Sequence, residues 1–128
     1  RAAIAGVLAM KPEVLILDEP TAGLDPRGRD EILDQVKQLQ MQTGMTILLV
    51  SHSMEDVAEY VERIIVMNKG RIAMDGTPKE VFSHDGELMR MGLDIPEITR
   101  LFMRMKREGY DVPTDIFTVE QAYKAMME

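Results

Sequence analysis

The chain has 128 residues, of which 45% are hydrophobic, so a folded domain with a core is expected rather than a disordered segment. Its 22 acidic and 15 basic residues give a net charge of −7, which argues against nucleic-acid binding driven by overall positive charge. There are no cysteines, so disulfides, thiol catalysis and thiolate metal sites are excluded. No apolar run approaches the ~20 residues that a membrane-spanning helix needs, so any membrane role is expected to be peripheral.

The first elements of the chain are predicted to be a helix and a buried strand. Residues 1–10 (RAAIAGVLAM) are small and apolar, which predicts the last turns of a buried helix before Pro12. Residues 14–17 (VLIL) predict a strand buried on both faces, because their apolar character is continuous rather than alternating. Residues 46–50 (TILLV) predict a second buried strand, which ends just before His52.

A helix is predicted between these two strands. Asp25 offers an N-cap, and Pro26 suits the first helical turn. We expect the helix to run to about Thr43, with Gly44 at its end. Its apolar stripe is formed by Ile32, Val36 and Leu39.

A short helix and a hairpin are predicted next. Ser53 indicates the N-cap of a helix that continues through Tyr60. Residues 63–68 and 71–75 predict two short strands that form a hairpin around a turn at Gly70. The order strand, helix, strand, helix, strand predicts an α/β domain with a parallel sheet.

The remainder of the chain is predicted to be helical. The sequence TPKE, which begins at Thr77, is a capping box with proline at the first helical position, and it opens a short helix to Phe82. Residues 84–92 are expected to form a looser stretch. Residues 96–108 predict a longer helix, and Thr118 marks the start of a last one.

The change of pattern after Gly76 predicts two parts, an α/β part over residues 1–76 and a helical extension over residues 77–128. The longer helix of the extension has apolar residues at helical spacing, namely Ile98, Leu101, Phe102 and Met105. Another face carries Arg100, Arg104 and Arg107. These arginines either form the solvent-exposed face of a helix that packs on the core, or they contribute to subunit pairing.

Two adjacent carboxylates follow the first predicted strand. Asp18 and Glu19 stand at its carboxyl end, where successive side chains point to opposite sides, so they cannot do the same work. One can reach a magnesium ion through water, and the other can orient or deprotonate an attacking water. The plain alternative is that both acids only cap the end of the strand, with their side chains in solvent.

The residues around this acid pair resemble the second half of the ATP-binding cassette (ABC) family of ATPases. VLILDEP is similar to the Walker B strand, AGLDP to the D-loop and LLVSH to the strand of the switch histidine. The sequence RIIVMNKGRIAMDGTPKEVF resembles the hairpin and helix that follow in transporter members. Four motifs in this order, over roughly the first 82 residues, also favour a P-loop NTPase type of parallel sheet with flanking helices.

The resemblance implies a role for each polar residue of these motifs. Asp18 would support Mg²⁺ through water, and Glu19 would be the general base for the water that attacks ATP. His52 would contact the γ-phosphate and help to hold the water and Glu19 in line. Asp25 would lie in the D-loop, along the dimer interface beside the partner's nucleotide site. Catalysis would then consist of positioning and charge neutralisation rather than covalent chemistry.

Other motifs of the resembled family do not occur in this sequence. None of the nine glycines begins the GxxxxGK run that cradles phosphates, and LSGGQ is missing. We therefore interpret the chain as the C-terminal half of a nucleotide-binding subunit, inactive by itself. In this family the phosphate-loop strand lies between the strand of His52 and the strand over residues 63–68. Its absence predicts a gap in the sheet and exposed apolar strand edges.

The extension gives a narrower resemblance. GLDIPEITRLFMRMKREGYDVPTDIFTVEQA, residues 92–122, is similar to the C-terminal extension of energy-coupling factor ATPases, the cassette subunits of vitamin and transition-metal importers. This implies a peripheral location on the cytoplasmic face of the membrane. It implies as partners a second ATPase subunit in a homo- or heterodimer, a transmembrane coupling component and a separate membrane component that binds the substrate. It implies no nucleic acid.

Two other functions remain open at this point. Chromosome-organising and DNA-repair ATPases share the Walker B, D-loop and histidine motifs, but no long coiled coil is visible here. The chain could also be an interaction module without catalysis. Twelve methionines suggest a soft-metal site, yet they scatter through predicted helices and strands, where methionine fills gaps in the core. His84, with Asp85 and Glu87, is explained equally well by a polar loop.

Overall fold

The computed structural model describes Gly6 and residues 9–127. The predicted helix over residues 1–10 therefore lies largely outside the described residues. The chain divides into two compact units, Arg1–His52 and Ser53–Glu128. The four residues with implied site roles, at positions 18, 19, 25 and 52, all belong to the first unit.

The first unit contains a parallel strand pair joined through a long helix. Its elements are β1 (Val14–Asp18), α1 (Pro26–Thr43) and β2 (Thr46–Val50). The two strands pair in register from Val14 opposite Thr46 to Asp18 opposite Val50. A parallel pair requires a crossover connection, which α1 supplies. The predicted bounds of both strands are confirmed to within one residue.

Helix α1 begins and ends where the sequence predicts. The Oδ1 atom of Asp25 accepts a hydrogen bond of 2.8 Å from the backbone N–H of Gly28, which satisfies one of the open donors of the first turn. At the other end Gly44 adopts φ 69°, a left-handed conformation that glycine takes without steric cost. Local capping is therefore enough to fix the length of this helix.

Among the residues that the structure describes, only one face of the parallel pair is covered. Leu15, Leu17 and Met45 form a buried cluster, against which α1 packs Val36 and Leu39. The opposite face is open, because Val14, Ile16, Leu48 and Val50 are between 48% and 63% exposed. The prediction that β1 is buried on both faces is therefore wrong for the described residues. A continuous apolar run gives both faces an apolar character, but burial requires a packed element on each of them.

The second unit begins with a short helix and the predicted hairpin. Helix α2 spans Met54–Tyr60, and strands β3 (Ile64–Asn68) and β4 (Arg71–Gly76) pair antiparallel. The two-residue turn places Lys69 at φ 52° and Gly70 at φ 75°, as the tight turns that suit a twisted hairpin require. The Arg63 guanidinium donates two hydrogen bonds, of 2.8 and 2.6 Å, to the Asp75 carboxylate beside this hairpin.

The strands do not join into one sheet. Within residues 9–127 they form two separate two-stranded sheets, β1–β2 and β3–β4. Two separate sheets are the arrangement expected if a strand is missing between β2 and the hairpin. Each pair keeps open edges, where backbone N–H and C=O groups lack a neighbouring strand.

Four further helices lie in the described part of the second unit. They are α3 (Pro78–Phe82), α4 (Asp85–Arg90), α5 (Glu97–Arg107) and α6 (Val119–Met127). Helix α3 has the predicted cap, since the Thr77 hydroxyl oxygen accepts from the backbone N–H of Glu80 at 3.2 Å. Helix α4 was not predicted, because its glycine and polar residues favour a loop. The burial of Leu88 supplies tertiary packing that local sequence does not reveal.

The helical extension has a small core of its own. Phe102 of α5 packs with Ile116 and with Ala122 of α6, and the Thr99 hydroxyl donates to the Ile116 carbonyl at 2.5 Å. The predicted apolar stripe of α5 is partly wrong, because Leu101 is 50% exposed and Met103 is buried instead. The described helices include none that is long and apolar enough to cross a membrane.

Candidate active site

The candidate site lies where the two parallel strands end. Asp18 is the last residue of β1 and stands opposite Val50, the last residue of β2. The backbone N–H of Glu19 continues the pairing, since it donates to the Val50 carbonyl at 2.8 Å. Because parallel strands present their carboxyl ends at one edge, residues that follow β1 and β2 meet there. This edge brings Glu19 and His52 together.

Glu19 and His52 form a direct side-chain contact. The His52 Nδ1 atom lies 2.6 Å from Glu19 Oε1, a short distance typical of a charge-assisted hydrogen bond. An ionised carboxylate can only accept, so Nδ1 carries the hydrogen in this bond. That leaves Nε2 of His52 as the ring atom directed to other partners. The Glu19 side chain is 34% exposed and the His52 side chain is 83% exposed, so the pair is accessible from solvent.

The backbone of Glu19 leaves the strand conformation abruptly. Its φ is 48°, in the left-handed region that residues with a Cβ rarely adopt. The carbonyl of Glu19 then accepts from the N–H of Ala22 at 3.2 Å, and the Thr21 carbonyl accepts from Leu24 at 3.1 Å. Such conformations cost on the order of 1–3 kcal/mol and concentrate at functional sites. The alternation of a regular strand therefore does not decide where the Glu19 side chain lies.

Asp18 is the more isolated of the two acids. Its carboxylate is exposed and makes no hydrogen bond or ion pair with the described residues. Within the same residues no group of three or more histidine or acidic side chains could hold a metal ion. Mg²⁺, however, is commonly bound by one or two carboxylates together with waters and substrate phosphates. Asp18 fits that partial role, and the donor set does not build a metal site on its own.

Asp25 has a structural partner in the chain. Its Oδ1 atom caps α1 through the Gly28 N–H, and Oδ2 is not used by that bond. A Cβ at position 28 would lie 2.9 Å from Asp25 Oδ1, so glycine at this position leaves room for the cap. The sequence predicted the cap but missed the requirement at Gly28, for which the only signal is a glycine within an otherwise regular helix. The predicted D-loop role of Asp25 stays a prediction.

Comparison by sequence matches this chain to a family profile and to several known proteins. A family profile described as "AAA domain, putative AbiEii toxin, Type IV TA system" matches residues 1–57. The energy-coupling factor transporter ATP-binding protein EcfA2 of Clostridium tetani is 54% identical over 128 residues, which is all of this chain and 44% of that protein. The EcfA2 protein of Clostridium perfringens is 52% identical over 128 residues, again all of this chain and 45% of that protein.

A solved structure agrees with the sequence matches. The structure of cbiO1 from Clostridium perfringens, described as part of the ABC transporter complex cbiONQ, superposes with a TM-score of 0.61 at 44% identity. The superposition covers 79% of this chain and 40% of that one. The chain thus spans less than half the length of the relatives that it matches. Over its own length, this chain is homologous to the ATP-binding proteins of energy-coupling factor ABC transporters.

Proposed function

We propose that this chain supplies the carboxylate and histidine part of an ATP-hydrolysing site in an energy-coupling factor transporter. The observation that carries the proposal is the 2.6 Å hydrogen bond between Glu19 and His52 at the end of the parallel strand pair. A carboxylate next to a histidine, on strand ends and open to solvent, is suited to orient a water and take its proton. The homology to ATP-binding proteins makes a nucleotide phosphate the natural target of that water.

Glu19 is proposed as the general base. Its Oε2 atom is not engaged by the bond that Oε1 makes with His52, so it can accept a proton from an attacking water. His52 holds the carboxylate through Nδ1–H and can direct Nε2 to the γ-phosphate of ATP. This division follows from the inventory of donors and acceptors, because a histidine with Nδ1 committed has one ring nitrogen left. Phosphoryl transfer depends mainly on such positioning.

Asp18 and Asp25 are proposed in supporting roles. Asp18, exposed and without a partner in the described residues, would hold Mg²⁺ through water together with the phosphates of ATP. Mg²⁺ would supply neutralisation of charge on the phosphates. The capping bond of Asp25 fixes the loop that precedes α1, and its second oxygen remains available to a dimer partner beside the nucleotide.

The isolated chain and the working protein are proposed to differ in activity. A loop that cradles the phosphates is absent from the sequence, so we propose that the isolated chain neither binds ATP tightly nor hydrolyses it. We propose that the working protein pairs with a second ATPase subunit and drives a transmembrane coupling component with its substrate-binding partner. It would act peripherally, at the cytoplasmic face of the membrane. The description of cbiO1 as part of the ABC transporter complex cbiONQ supports a multi-subunit assembly of this kind.

The proposal is tested by a chimera. This chain replaces the corresponding segment of the full-length Clostridium tetani relative, to which it is 54% identical along its whole length. The chimera is expected to hydrolyse Mg-ATP at a rate comparable with that of the parent protein, because the proposed site residues come from this chain. The isolated chain is expected to give no binding heat with Mg-ATP in calorimetry. A correctly folded but inactive chimera would contradict the proposal, as would micromolar binding by the isolated chain.

A further inference from the structure

The helical extension contains a basic pocket that the nucleotide site does not use. It is a cavity of about 290 Å³ lined by Lys79, Ser83, Met103, Lys106, Arg107 and Thr114. All six residues belong to the second unit of the chain, so the pocket is built within one compact body. The nucleotide site, by contrast, is built from residues of the first unit.

The pocket concentrates positive charge that the chain does not neutralise. Neither Lys79 nor Lys106 forms an ion pair within the described residues. Arg107 is the exception, since its Nη2 lies 3.2 Å from both carboxylate oxygens of Asp85. That pairing orients the guanidinium and leaves its other N–H groups available. Two uncompensated lysines beside an oriented arginine are notable in a chain with a net charge of −7.

Helix-end electrostatics explain only part of this arrangement. Lys106 and Arg107 lie in the last turn of α5, where cations complement the exposed carbonyl groups. Lys79 is the second residue of the five-residue helix α3, near its N-cap, so this effect does not explain its position. It also does not explain why α3, α5 and the loop that carries Thr114 line one cavity. The convergence is a property of the tertiary packing.

The remaining lining residues define what could occupy the pocket. Met103 is 8% exposed and contributes an apolar surface. The Ser83 hydroxyl donates to the Glu80 carbonyl at 2.6 Å, so towards the cavity it can only accept. Thr114 makes no hydrogen bond within residues 9–127 and can donate. Cations, a free hydroxyl and an apolar wall suit an anionic group attached to a small organic body rather than a bare metal ion.

We propose that this basic pocket binds the phosphate monoester group of a small organic molecule. Lys79 and Lys106 supply the two uncompensated charges, Arg107 a fixed pair of donors, and Thr114 a hydroxyl donor. A phosphate monoester carries close to two negative charges near neutral pH, which matches two unpaired lysines. The same group occurs on soluble sugar phosphates and on phosphatidic acid, and the experiment distinguishes these two sources.

The test uses the 128-residue chain and follows backbone amide shifts by NMR. Ribose 5-phosphate is the soluble probe, and ribose is its uncharged control. Vesicles of phosphatidylcholine with and without phosphatidic acid are the lipid arm, read by co-sedimentation. The variant Lys79→Gln with Lys106→Gln removes the unpaired charges, and Lys124→Gln in α6 is the matched control because Lys124 does not line the pocket.

We expect ribose 5-phosphate to shift amides near the basic pocket saturably, while ribose does not. The double variant should weaken binding at least about tenfold, because two charge-assisted hydrogen bonds to the phosphate are lost. Lys124→Gln should leave binding unchanged. Binding to phosphatidic acid vesicles but not to ribose 5-phosphate would assign the same site to a lipid headgroup. The proposal is overturned if neither probe binds, if the double variant binds like the parent, or if Lys124→Gln causes the same loss.

Discussion

The Nδ1 atom of His52 lies 2.6 Å from Oε1 of Glu19, across 33 residues of sequence. The contact exists because β1 and β2 run parallel and in register, so that the residues after Asp18 and after Val50 meet at one edge. It also depends on the left-handed backbone of Glu19, which departs from the strand immediately after Asp18. Two neighbouring strand ends and one strained residue together build the proposed base and the residue that orients it.

Replacing His52 with alanine tests whether the histidine positions Glu19. In the chimera with the Clostridium tetani relative, His52→Ala should lower kcat by about 10²-fold with little change in KM, because a transition-state contact is lost while nucleotide binding groups remain. His84→Ala is the matched control, since His84 is the other histidine of the chain and its ring hydrogen-bonds to Ser83 and to the Glu80 carbonyl, away from the candidate site residues in the sequence. Equal losses in both variants would rule out a specific role for His52.

Replacing Asp25 with alanine tests its structural role as the N-cap of α1. The loss of the Asp25 to Gly28 cap should lower the free energy of unfolding by about 1 kcal/mol, the usual cost of removing an N-cap. Asp25→Ser retains a capping oxygen and should recover most of that stability. Urea unfolding of the three proteins measures the effect. If Asp25→Ser is as unstable as Asp25→Ala, capping is not what Asp25 contributes to the fold.

The hairpin ion pair predicts a pH dependence of stability. The hydrogen bonds from Arg63 hold the pKa of the Asp75 carboxyl below its usual value, with charge attraction acting in the same direction. A carboxyl with a lowered pKa in the folded state stabilises the fold above its unfolded pKa, ~3.9, and loses this effect as the pH falls through the folded value. The urea midpoint of Asp75→Asn should therefore lie slightly below that of the parent at pH 7 and converge with it as the pH falls below the ordinary range of an aspartate.

The control for this prediction is an aspartate without a partner. Asp111 is exposed and makes no side-chain bond within the described residues, so Asp111→Asn should show no such convergence. The expected differences are small because both Arg63 and Asp75 are open to solvent, where ion pairs are screened. A difference between Asp75→Asn and the parent that stays constant from pH 7 to pH 2 would contradict the assignment.

Removing Phe102 tests whether the helical extension has its own core. Phe102 is 1% exposed and packs against Ile116 and Ala122, so Phe102→Ala should cost about 3–5 kcal/mol of folding free energy in this unit. Leu101→Ala is the matched control, because Leu101, the neighbour of Phe102 on α5, is 50% exposed. Hydrogen exchange of amides in α5 and α6 should increase strongly only in Phe102→Ala. Similar exchange in both variants would show that no separate core forms around Phe102.

The sequence predicted those features that local chemistry fixes. Asp25 and Gly44 set the ends of α1, and the turn at Gly70 set the hairpin, because caps and tight turns act over a few residues. Features that depend on distant partners were missed. The exposure of Ile16 depends on which elements cover the sheet, and helix α4 depends on the burial of Leu88 rather than on its polar sequence.

The residues of the candidate site could be predicted from the sequence, but their spatial arrangement could not. Asp18, Glu19 and His52 could be selected because the motifs around them resemble the Walker B and switch-histidine motifs of ABC ATPases. The bond between Glu19 and His52 could not be derived without the strand register, and the positive φ of Glu19 has no signal in the sequence. A tertiary contact of this kind requires both strands to be placed, which a local pattern does not achieve.

The most direct test of the account is Glu19→Gln in the chimera, measured as steady-state ATP hydrolysis and as bound nucleotide. Glu19→Gln removes the proton acceptor with little change in shape, and Glu13→Gln, before β1, is the matched control. We predict that Glu19→Gln lowers kcat by about 10²- to 10⁴-fold and retains ATP in a stable dimer, while Glu13→Gln hydrolyses normally. Near-normal turnover by Glu19→Gln would contradict the central claim that Glu19 is the catalytic base.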